Sequence, residues 1–104
     1  MKDRPKFKKN LIWIANLRRK ERLILLFVWD CFYGGGATQP SELDVQDYCM
    51  LPQATFLLSK LVARGFLKRL DGGGGTSGDL YELADTCEAR LLELRRWDLG
   101  SVMS

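Results

Sequence analysis

Lys60 and Arg64 stand one helical turn apart in the run PQATFLLSKLVARG, with Gln53, Thr55 and Ser59 placed ahead of them. Cationic ends at positions i and i+4 share one face of a helix. The amide of Gln53 suits an adenine edge, the hydroxyls of Thr55 and Ser59 suit bases or phosphates, and Lys60 suits guanine or phosphate. Lys68 and Arg69 follow directly, and Lys6, Lys8 and Lys9 add charge near the N-terminus. The chemistry these types support is contact with a polyanion that presents readable hydrogen-bond edges. Phe56 and Leu57 interrupt the polar set, and two large apolar side chains on such a face also suit a protein groove.

Catalytic chemistry has much less to draw on. The chain contains no histidine, and its three cysteines, Cys31, Cys49 and Cys87, form no C-x-x-C pair. Without a general base near a nucleophile or a cluster of carboxylates, neither acid–base nor covalent catalysis is expected. No metal, cofactor or disulfide framework is expected either, and a reducing cytoplasm is the natural compartment. The run GGGGTSG lacks the lysine and the spacing of a phosphate loop and reads as a hairpin tip. Cys31 lies in an apolar helix and Cys49 in a turn, where cysteines act as small, inert hydrophobes.

The length of 104 residues suits one domain with one core, here residues 1–104. The longest apolar run, Leu23 to Trp29, is too short to span a bilayer. Net charge is +3, yet residues Met1 to Arg22 hold nine cations against Asp3 and Glu21, leaving the remainder at −4. The positive field therefore gathers in the first fifth of the chain.

The elements that must position these residues follow from periodicity and turn chemistry. Phe7, Leu11, Ile14 and Ala15 predict an amphipathic helix within residues 5–17. Residues 18–33 are apolar nearly all round, which calls for partners on every side and suggests a second subunit. Glycines 34–36 end that segment of residues 1–36. Thr38 is expected to cap a short helix with Pro40 in its first turn, and Pro52 to begin the next helix, which stops at Gly65. Ala54, Leu58, Leu61 and Val62 form its buried stripe. Residues 66–70 and 80–83 read as paired strands around a glycine-rich tip. Thr86 is expected to cap a last helix over residues 86–98, with Leu91, Leu92, Leu94 and Trp97 on its apolar face.

That order gives a mainly α fold with a small β-hairpin wing, the plan of a winged helix-turn-helix over residues 38–83. At TQPSEL, LVARGFLKR and YELADTCEARLLEL the chain resembles the MarR-type transcription regulators, over a little more than half its length. The resemblance implies a homodimer with interlocked terminal helices, a recognition helix in the major groove of double-stranded DNA and a wing beside the minor groove. Trp13, Trp29 and Trp97 then stand as interface anchors. The family's wing arginine has no counterpart here, since residues 71–79 hold two aspartates and no cation. Grip by about six phosphates implies a log–log salt slope of about −5. A small dimeric regulator is the expected function, and a winged-helix module that docks a protein through Phe56 and Leu57 is the alternative.

Overall fold

The structure is a computed structural model that describes residues 7–34, 38–70 and 78–103, with side chains described as far as residue 95. Within them lie α1 (Asn10–Ile14), α2 (Arg19–Tyr33), α3 (Glu42–Cys49), α4 (Ala54–Ala63), β1 (Leu67–Leu70), β2 (Leu80–Leu83) and α5 (Cys87–Met103). The fold is helix-rich with one antiparallel hairpin. The expected hairpin tip falls largely at residues 71–77, outside the described residues, as do Lys6, the side chain of Trp97 and two of the three glycines after α2.

α2 is the centre of the molecule. Ile24, Leu25 and Val28 are fully buried, and α1, α3, α4 and β2 all pack against the helix. Burying each such side chain contributes about 1.5–3 kcal/mol. The all-round apolar character of α2 is therefore met largely inside one chain, and it does not by itself require a second subunit. Leu23, 37% exposed, is the main exception on this helix.

The first helix is shorter than its periodicity suggests. α1 ends at Ile14 and the chain runs extended from Ala15, whose ψ is 149°. Leu11, Ile12, Ala15 and Leu17 are buried nonetheless, so burial continues past the helix. The expected cap also moves. Ser41, not Thr38, caps α3: its hydroxyl accepts from the Asp44 N–H at 3.1 Å, and Asp44 accepts from the Ser41 N–H at 3.0 Å. This reciprocal box leaves Pro40 outside the helix. Likewise Pro52 lies in the turn, and α4 starts at Ala54.

Met50 turns the chain between α3 and α4 in the left-handed region, at φ 55°. Gly65 ends α4 at φ 85°, and a Cβ there would meet Thr86 Oγ1 at 3.0 Å. Thr86 precedes α5 as expected, but its hydroxyl donates to the Gly65 carbonyl at 2.6 Å, tying α5 to the end of α4. β1 and β2 pair with Leu67 opposite Leu83 and Arg69 opposite Tyr81. On the other edge of β2, Ser41 bridges Leu80 and the Tyr81 N–H donates to the Pro40 carbonyl at 2.9 Å. The segment before α3 thus adds a rudimentary third rung to the hairpin.

Candidate functional site

α4 sorts its residues by angle. At roughly 100° per residue, Ala54, Leu58 and Leu61 cluster on one side, and all three are fully buried. Val62 is only partly buried, at the margin of that stripe. The opposite direction is held by Phe56, which is 73% exposed, with Ser59 and Ala63 beside it. Two flanks separate these faces. Gln53, Leu57, Lys60 and Arg64 turn toward the start of α2, while Thr55 and Ser59 turn toward α3 and the hairpin.

The α2 flank holds a buried carboxylate. Glu21, in the first turn of α2, is 2% exposed. Its Oε2 accepts from Arg64 Nη1 at 2.9 Å and lies 3.6 Å from Lys60 Nζ. Its Oε1 accepts from the Arg18 backbone N–H at 3.4 Å. A carboxylate taken out of water needs such partners, because desolvation costs several kcal/mol. The cations keep 38% (Lys60) and 35% (Arg64) of their side-chain surface in solvent. Arg64 also lies 5.1 Å from the Phe66 ring. Lys60 and Arg64 are thus brought together as expected, but they share an anion of the same chain.

The hairpin flank is looser. Arg69 Nη2 donates to Ser59 Oγ at 3.0 Å and Arg69 Nε lies 3.8 Å from Asp79. Its guanidinium sits 5.8 Å from the Tyr81 ring. The Thr55 hydroxyl donates to Glu42, whose carboxylate also fills the space beside Gly78, so Thr55 is already engaged. Lys68 is exposed, and among the described residues no ion pair holds it.

Lys20, which the sequence places only within the basic N-terminal segment, lies beside the start of α4. It lines a shallow cleft with Leu51, Pro52, Gln53 and Leu57. The start of α2 therefore lies beside the start of α4, a placement that only the tertiary fold creates. Met50 is 84% exposed in the preceding turn. Leu57 is half-buried against the core, so only Phe56 of the apolar pair stands in water.

Of the N-terminal candidates, Lys9 lies toward the far end of α2 from Glu21. Lys9 pairs with Asp30 at 2.9 Å and lies 5.7 Å from the Trp29 ring. The Trp29 indole N–H donates to the Phe7 carbonyl at 3.1 Å, so Trp29 fastens the N-terminal segment to α2. Lys8 is exposed. Trp13 is 54% exposed with the Arg22 guanidinium 4.9 Å from its ring.

The thiols face away from nucleophilic chemistry. Burial pushes the Cys87 thiol up to about 12, with Glu88 adding to it. Burial, and then Cys31, lifts Cys49 to about 11. Cys31 is also raised by burial, against a lowering hydrogen bond from Thr38. Among the described residues no group of three metal-ligating side chains exists, and no helix is long and apolar enough to cross a membrane. Comparison with known family models, curated proteins and solved structures found no match.

Proposed function

We propose that this chain is a winged helix-turn-helix domain that binds duplex DNA as a small transcriptional regulator. α3 and α4 form the helix-turn-helix, α4 faces the major groove, and the β1–β2 hairpin is the wing. The observation that carries this reading is convergence of charge around one exposed helix. Lys20 from α2 lines the cleft at the start of α4, Lys60 and Arg64 lie on its α2 flank and at its end, and Arg69 from β1 reaches Ser59 on its hairpin flank. Cations from three elements around a surface helix match the electrostatic footprint of duplex binding. Exposed Gln53 supplies an amide for a base edge. Trp13, Ile14 and Leu92 stay exposed on α1 and α5, which pack on each other, and this pair of helices is our choice for a homodimer contact.

A second reading is supported by Phe56 on the outward side of α4 and Met50 in the turn before it, both largely exposed. Large apolar side chains in water suit a protein partner, so the same surface would then dock a protein. The two readings separate on substitution. With DNA as target, Lys68→Ala weakens duplex binding and Phe56→Ser leaves most of it. With a protein as target, Phe56→Ser removes capture of the partner, while duplex binding is absent from the start.

A further inference from the structure

Glu21 is a specific feature that duplex binding does not call for. A regulator gains phosphate affinity from cations on α4, yet here a buried anion sits between the two that α4 offers. Glu21 Oε2 is 2.9 Å from Arg64 and 3.6 Å from Lys60, and the carboxylate is 2% exposed. The two side chains keep about one-third of their surface in solvent, so they are held in place without being fully covered. A helix-surface pair of cations normally contributes a local charge of +2. With Glu21 it contributes +1, and both side chains point along the α2–α4 seam.

We infer that Glu21 is an internal counter-anion that limits sequence-independent phosphate binding by Lys60 and Arg64, and so raises the specificity of the α4 face. This rests on the duplex-binding reading above. The physical reason is that non-specific affinity scales with the phosphates a protein neutralises, through release of condensed counterions. A carboxylate already paired with Lys60 and Arg64 competes with each incoming phosphate. What matters for a regulator is the ratio of specific to non-specific affinity. Withholding two cations lowers the denominator, while Gln53 and Lys20, side by side at the start of α4, remain available to fix register. The same carboxylate fastens α2 to α4, so the seam keeps its geometry when DNA arrives.

The test is the salt dependence of binding to a labelled random-sequence duplex, measured by fluorescence anisotropy for the full chain and for Glu21→Gln. The glutamine keeps the shape and a carbonyl acceptor for Arg64 but removes the charge. Glu21→Gln is expected to bind the random duplex roughly tenfold tighter near 0.1 M salt, with a log–log slope steeper by about 1–2. Adding Lys60→Ala to Glu21→Gln is expected to remove about half of that gain, which a general loosening of the fold would not do. If Glu21→Gln fails to fold by circular dichroism, Glu21→Asp retracts the anion by one methylene and is expected to shift the slope in the same direction by less. A native protein that binds while the glutamine variant binds no tighter overturns this inference and leaves the duplex reading standing. Absence of binding by the native protein and by every variant overturns both.

Discussion

The two flanks of α4 hold their charges in different ways. Toward α2, Lys60 and Arg64 close on a carboxylate that is 2% exposed. Toward the hairpin, Arg69 reaches Ser59 and Asp79, and both members of its ion pair are more than one-third exposed. Nearly the same residue types thus build a desolvated seam on one side and a solvent-screened lattice on the other. Position in the fold, not charge count, decides which cations are structural and which are available to a partner. Breaking a desolvated pair leaves an uncompensated buried charge, whereas an exposed pair contributes little.

The largest expected effect breaks both flanks together. Leu58 is fully buried beneath α4, and Leu58→Ala is expected to cost about 2–5 kcal/mol in a urea titration. Next is the seam alone. Arg64→Ala leaves Glu21 with the longer Lys60 contact and the Arg18 N–H, and is expected to cost on the order of 3 kcal/mol. Its effect should persist in 1 M salt, because a buried pair is poorly screened. A cost that vanishes in high salt would place Glu21 in water and remove the contrast between the flanks.

Alkaline pH probes the floor on which both flanks rest. Cys87 is buried with its thiol raised to about 12 from 9.0. The folded state thus holds a proton that the unfolded chain releases, so this stabilisation is full below pH 9 and is lost as pH rises toward 12. The share of the slope due to Cys87 is about 1.4 kcal/mol per pH unit in that window. Cys87→Ala should reduce the slope by that share and leave the smaller part due to Cys49 and Cys31, as read from melting temperatures at pH 8, 9.5 and 11. Gly65→Ala forces a side chain into φ 85° against Thr86 and is expected to cost about 1–2 kcal/mol by the same melts. Smallest is the hairpin flank, where Arg69→Ala is expected to cost less than about 1 kcal/mol and to lose that cost in high salt.

Much of this framework is legible in the residues themselves. The apolar stripe of Ala54, Leu58 and Leu61, the stop at Gly65 and the pairing of residues 67–70 with 80–83 follow from local periodicity and turn chemistry. Ser41 followed by Asp44 three residues later is also a readable capping box, masked by the competing signals of Thr38 and Pro40 just before it. Glu21 was not legible. Inside RRKERL a glutamate reads as one acid in a solvated basic run. Its burial arises only when the end of α4 lies across the first turn of α2. Lys20 beside Gln53 is hidden for the same reason, because separations of about thirty residues leave no local trace. The apolar pattern runs beyond α1 because Ala15 and Leu17 are buried from an extended segment.

The most direct test of the central claim is anisotropy of a labelled random-sequence duplex titrated with the native protein across salt concentrations. The account predicts micromolar binding at low salt that weakens with a log–log slope of about −3 to −5, from three to six neutralised phosphates. Absence of binding at low salt would contradict it, and would assign the exposed Phe56 and Met50 face to a protein partner instead.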